Sequence, residues 1–207
     1  MFALTPKDYD SPILGCGDGP ASFNSENFKL GRHIVSVDPI YIYSGDEIGR
    51  RFDQVADSMI SQVRATPDDW VWGYHTNPDA LLKCRRRSLE LFLADYETGR
   101  ATGRYVTGAL PSMPFSDKQF GLALCSHLLF LYSEILDSDF HVAAVREMCR
   151  VAREVRIFPL LTIARRRSDH IELVQKALHS DGWMTEIVKV DYELQKGGNE
   201  MLRIYRD

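Results

Sequence analysis

The tightest constraint in this chain is a small-residue turn set between two short apolar runs. Ile13-Leu14 lead into Gly15-Cys16-Gly17-Asp18-Gly19-Pro20-Ala21, an amphipathic segment follows, and Ile34-Val35-Ser36-Val37 ends in Asp38. This is the sequence order strand, glycine turn, helix, strand. Glycine at such a turn lets a ligand approach the backbone, because a side chain there would collide with it. An acid at the tip of the second strand can accept both hydroxyls of a ribose. Turn and acid together point to a nucleoside-containing cofactor.

Spacing narrows the choice of cofactor. The dinucleotide fingerprint Gly-x-Gly-x-x-Gly puts Pro20 at its last place when counted from Gly15, and Ser22 when counted from Gly17. Neither fits, so a nicotinamide or flavin dinucleotide is disfavoured. A phosphate loop would need Gly-Lys-Ser/Thr, which the turn lacks. With Gly17 and Gly19 on the first two glycines and Ala21 on the third, the turn resembles motif I of the class I S-adenosylmethionine-dependent methyltransferases.

The resemblance continues downstream. Tyr105 to Phe120, with Gly108-Ala109-Leu110-Pro111 and Pro114-Phe115-Ser116-Asp117, is similar to the segment that precedes the fourth strand in that family. Leu122-Ala123-Leu124-Cys125-Ser126-His127 resembles that strand and its exit, and Glu147-Met148-Cys149-Arg150-Val151 the end of the next helix. Within the family the chain looks most like an uncharacterised bacterial branch. The resemblance implies an α/β, Rossmann-like fold of seven strands, mostly parallel, with an antiparallel last strand. It also implies S-adenosylmethionine as cofactor and S-adenosylhomocysteine as product, held by Gly15, Cys16, Gly17, Gly19, Asp38, Ala109, Leu110 and Ser126. Three acids of the family pattern are replaced, by Gly15, Ala109 and Gly121.

With 207 residues, 44% hydrophobic and 26% charged, the chain has the size and composition of one globular domain. The formal net charge of −4 gives no global attraction to nucleic acid or anionic membrane, and no apolar run is long enough to cross a bilayer. No signal-peptide layout opens the sequence. Cys16, Cys84, Cys125 and Cys149 are scattered, which disfavours a zinc site or disulfide framework and leaves a cytoplasmic setting as the expectation. The oligomeric state is not legible.

Apolar periodicity predicts strands near 11–14, 33–37, 104–107, 120–125, 154–161, 185–192 and 199–205. It predicts helices near 21–31, 46–65, 78–98, 138–152 and 168–181. Strand five reads as almost wholly apolar, as for a parallel strand covered on both faces. The segment between strands two and three is far longer than one crossover helix requires. Residues 44–103 therefore read as a helical cap inserted into a single domain spanning 1–207. Its loop, Trp70-Val71-Trp72-Gly73-Tyr74-His75, reads as a hydrophobic plug or, with substrate contacts from Trp72, Tyr74 and His75, as a lid.

Methyl transfer needs in-line alignment and, for a hydroxyl, amide or carbon acceptor, a base. His127 and Tyr132, after strand four, are the catalytic candidates, with a hydrogen-bonding or supporting histidine as the plainer reading of His127. His141 and Arg165 are candidate substrate contacts. Arg85-Arg86-Arg87 and Arg165-Arg166-Arg167 read as solvated faces, although the second run can also hold a carboxylate or phosphate. Two functions of different class stand side by side: a methyltransferase with a small-molecule acceptor, and a catalytically inactive ligand-binding or regulatory protein of the same fold.

Overall fold

The computed structural model describes residues 1–206. Seven strands form one sheet: β1 (Ile13–Cys16), β2 (Ile34–Val37), β3 (Tyr105–Val106), β4 (Phe120–Ser126), β5 (Ala152–Phe158), β6 (Met184–Lys189) and β7 (Glu200–Tyr205). Their order is β3-β2-β1-β4-β5-β7-β6. Strands β1 to β5 pair in parallel, whereas β7 runs antiparallel to both β5 and β6. The strand order reverses between β1 and β4, and such a reversal opens a crevice at the carboxyl ends of the strands.

The helices are α1 (Phe23–Lys29), α2 (Gly45–Ala65), α3 (Pro78–Ala101), α4 (Ser138–Val151) and α5 (His170–Ser180). Local chemistry sets their ends. Ser44 and Glu47 form a capping box on α2, Asn77 caps α3 ahead of Pro78, and Asp137 accepts from Phe140 N at the start of α4. At α5 it is Ser168 Oγ that accepts from His170 N, while Asp169 makes no capping bond. Gly182, at φ +79°, lets the chain leave α5.

The main core lies between the sheet and α4 and α5, where Val145, Met148, Ile171 and Val174 meet Ala123, Cys125, Val155 and Ile157. The opposite face of β5 is polar at Glu154 and Arg156 and apolar at Phe158, which packs with Phe2, Val190 and Met201. Arg156, with a side chain only 8% exposed, pairs there with Asp8 and Glu154, and Arg203 of β7 joins through Glu154. Strand five is thus covered on one face by apolar helices. On the other, an ion-pair network and the amino-terminal segment cover Arg156, with Phe2 O accepting from it.

The second half of α3 packs beside β3: Leu89, Phe92 and Tyr96 meet Tyr41 and Tyr105, and Arg104 forms a bidentate pair with Asp95. The first half of α3 and the end of α2 gather around Leu194 through Ile60, Val63 and Leu81. The loop between these helices is tied down there, because Val71 N donates to Leu194 O at 2.8 Å and Lys196 N to Asp69 O at 3.0 Å. Along α2 the buried stripe is Ile48, Ala56, Ile60 and Val63. Phe52, Val55 and Met59 instead face cavities. No described helix is long and apolar enough to cross a membrane.

Candidate functional site

The glycine turn leaves β1 at the strand reversal. Gly17 and Gly19 take positive φ, +66° and +57°, which glycine adopts without strain. Asp38 locks this turn to β2. Its Oδ2 accepts from Gly19 N at 2.8 Å and its Oδ1 from Ile40 N at 2.9 Å. Tyr41 completes the clasp by donating its hydroxyl to Gly19 O at 2.8 Å. Burial raises the Asp38 pKa above its ordinary value, against the pull of these two amides. Each oxygen keeps a second acceptor site.

Asp18 supplies a second carboxylate at the same strand tips. A Cβ at Gly15 would lie 1.9 Å from Asp18 Oδ2, so the Asp18 carboxylate fills the space where a residue-15 side chain would project. Ser36 Oγ donates to it at 2.6 Å. Desolvation chiefly, and the neighbouring Asp38 charge, push the Asp18 pKa up to about 6, despite the Ser36 bond. The acid absent at position 15 is therefore replaced in space by one three residues on. Gly15 itself is covered, and Cys16 points into the main core with its thiol 3.9 Å from Met113 Sδ. A Cβ at Gly17 would meet Leu128 Cδ2 at 2.4 Å, whereas at Gly19 it would meet nothing. The open approach to the turn is thus at Gly19.

Beyond the turn lie two cavities. The larger, about 870 Å3, is bounded by Gly17, Asp18, Ser126, His127, Tyr132 and the first four residues. The second, about 460 Å3, lies among Trp70, Leu81, Phe158, Ile163, Arg165 and Leu194. Met59, Arg85, His127 and Leu131 border both. Both volumes fall in the range of small-molecule sites. His127 stands at the junction in a left-handed conformation, φ +54°. Its backbone N donates to Phe158 O, its Nδ1 lies 2.7 Å from Ser126 Oγ, and its ring meets Phe158 edge-on. Burial, and then the positive charge of Arg85, lower its pKa to about 4, so the imidazole is neutral at physiological pH.

The structure thus brings Gly17, Ser126, His127 and Tyr132 to the larger cavity and Arg165 to the smaller, whereas Gly19 and Asp38 stand at the glycine turn and line neither. Arg165 is already paired with Asp69 at 3.0 Å. Ala109 is exposed and forms a tight bridge with Ser112, and Leu110 packs against the main core; neither lines these two cavities. Trp72, Tyr74 and His75 are not brought to them either. Trp72 packs in the cap core, and Tyr74, 72% exposed, meets His75 and Tyr192 edge-on. Trp70 is the aromatic wall instead. His141 is fully buried, with Nδ1 2.7 Å from Asp137 O and Nε2 2.9 Å from Leu129 O, and joins α4 to the chain after β4. Among the described residues no cluster of three or more histidine, cysteine or acidic side chains could hold a metal.

Strand order, the glycine turn at the reversal and the acid beyond β2 define the Rossmann-like methyltransferase fold. The chain belongs to one family with the uncharacterized protein MJ0045 of Methanocaldococcus jannaschii, to which it is 33% identical over 207 residues, 100% of this chain and 90% of that protein. That relative is archaeal. No family model matches the sequence.

Among solved structures, WbdD superposes with a TM-score of 0.53 at 10% identity, over 96% of this chain and 38% of that one. Magnesium protoporphyrin IX methyltransferase from Synechocystis PCC 6803, with bound SAM, gives 0.48 at 10% identity, over 95% and 70%. The PH0226 protein from Pyrococcus horikoshii OT3 gives 0.49 at 11%, over 95% and 82%. At 10% identity the likeness to WbdD is one of fold alone.

Proposed function

We propose that this protein transfers a methyl group from S-adenosylmethionine to a small-molecule acceptor. The observation that carries the reading is the pair of cavities at the strand reversal, with His127 as a common wall. The larger takes the methionine side of the cofactor and the smaller the acceptor. The residues suit such a group: Gly19 is open to approach, and Asp38 retains acceptor sites for ribose hydroxyls while holding the turn. The bound cofactor supplies an activated methyl on a sulfonium.

The chain's own part is alignment and the exclusion of water. Ser126 fixes one ring nitrogen of His127 and leaves Nε2 for the acceptor. With its pKa near 4, His127 orients an acceptor and accepts its hydrogen bond. Tyr132 borders the larger cavity. Residues 44–103 act as a cap whose loop, pinned by the 69–71 and 194–196 backbone bonds, roofs the acceptor side. The four free cysteines suit a reducing, cytoplasmic setting. Calorimetric titration with S-adenosylhomocysteine tests the reading. One saturable site is expected, weakened roughly tenfold to 150-fold in Asp38→Ala, equivalent to a charged hydrogen bond of about 1.5–3 kcal/mol. Absence of binding to the folded wild-type chain defeats it.

A further inference from the structure

Six arginines stand in two runs, and five of them meet carboxylates. Arg86 pairs with Asp53, Arg87 with Glu90, Arg165 with Asp69, Arg166 with Glu134 and Arg167 with Glu200. Among the described residues Arg85 has no ion-pair partner within 4.0 Å. Successive side chains leave a helix in directions about 100° apart. Arg86 can therefore reach the acids of α2 and Arg87 its own helix face, while Arg85 is left over the cleft.

Arg85 borders the larger cavity, the smaller one and a third of about 460 Å3 beside Pro20 and Phe52. Its charge is felt on the acceptor side. It adds to the burial that lowers the pKa of His127 and opposes the burial that raises Tyr192, both on the wall of the acceptor cavity. Asp18 and Asp38, at the glycine turn, are governed instead by burial and their hydrogen bonds. The acceptor cavity is walled mainly by apolar residues such as Trp70, Leu81, Phe158, Ile163 and Leu194, its neutral polar groups come from Gln62, Thr66, Tyr192 and Gln195, and its other guanidinium is neutralised by Asp69. A mostly apolar chamber with one uncompensated fork of donors and only neutral polar groups beside it suits a single planar anion more than a dianion.

We propose that Arg85 anchors the acceptor, and that the acceptor is a small apolar molecule of ring size carrying one carboxylate. This rests on the methyl-transfer reading of the cleft. Arg85 holds the carboxylate at the cavity junction and so presents the rest of the molecule to His127.

The test uses benzoate and cinnamate, with benzamide and cinnamamide as neutral matches. Each is titrated by ligand-observed NMR into the full chain saturated with S-adenosylhomocysteine. Wild type, Arg85→Gln and Arg86→Gln are compared; glutamine keeps helix propensity at these exposed sites. The carboxylates are expected to bind wild type and Arg86→Gln about tenfold or more tightly than the amides. The preference should vanish in Arg85→Gln, with S-adenosylhomocysteine affinity equal in all three. No carboxylate preference in wild type, or one that survives Arg85→Gln, overturns the proposal. Loss of S-adenosylhomocysteine affinity in Arg85→Gln also overturns it, because it moves Arg85 to the cofactor. If wild type fails to bind S-adenosylhomocysteine, the same titration on the chain alone separates the two ideas. An Arg85-dependent preference then leaves the carboxylate site standing and removes the methyl-transfer reading.

Discussion

Replacing Asp18 with asparagine should change how stability depends on pH. The Asp18 carboxylate lies over Gly15 at the wall of the larger cavity, and burial raises its pKa from 3.8 to about 6. Between those values the folded protein binds more protons at this site than the unfolded chain does. Stability from this group is therefore greatest below about pH 4, falls as pH rises through the window and stays lower above it. A shift of about two units corresponds to about 3 kcal/mol. Asp8, Asp95, Glu147 and Glu154 have lowered pKa values and work with the opposite sign, so wild type alone would not show the effect. The comparison with Asp18→Asn isolates it, because asparagine keeps the shape and an acceptor oxygen for Ser36 but cannot ionise. Urea unfolding at several pH values should show the variant gaining on wild type by up to about 3 kcal/mol as pH rises from 4 to 7, a relative midpoint shift on the order of 1 M. A stability difference that stays constant across this range would refute the raised Asp18 pKa.

Three further outcomes are expected. Once an acceptor is in hand, His127→Ala should lower turnover about 10²-fold while leaving S-adenosylhomocysteine affinity nearly unchanged, and the wild-type rate profile should show no His127 inflection between pH 5 and 8; equal losses in turnover and affinity would make His127 a cofactor support. Asp95→Ala should cost about 3–5 kcal/mol in urea unfolding, because it leaves Arg104, only 11% exposed, without its bidentate partner; a cost under 1 kcal/mol would mean the pair is solvated. Amide exchange at Val71 and Lys196 should stay slow with and without S-adenosylhomocysteine, since both donate across the 69–71 and 194–196 contact; fast exchange without ligand would restore the mobile lid.

Much of the fold was legible because its signals are local. The glycine turn and the apolar periodicity mark seven strands and five helices in their order. Element ends moved where pairing outweighs composition. β1 continues through Gly15 and Cys16 because these residues pair with both β2 and β4. β5 ends at Phe158, before Pro159, which cannot donate to a ladder.

The placement of candidate residues was legible where a residue follows directly from a strand tip, as with Asp38, Ser126 and His127, whose roles are proposals. It was not legible where two distant segments decide a side chain's role. Arg85, Arg86 and Arg87 are chemically equal in the sequence, and only the acids of α2 and the helix direction single out Arg85. Trp70 faces the cavity and Trp72 does not, because residues 194–196 fix the loop between them. Asp18 could have been suspected from Gly15, since a glycine inside a strand marks a close approach; the sequence does not say what approaches.

The account turns on where S-adenosylhomocysteine sits, and a crystal structure of the complex measures that directly. The expected result has the ribose hydroxyls on Asp38, the nucleoside approaching Gly19, Leu128 displaced from Gly17 if the ligand reaches that backbone, and the sulfur facing the junction of Ser126 and His127. S-adenosylhomocysteine bound elsewhere on the protein, with Asp38 contacting only Gly19 and Ile40, would contradict it.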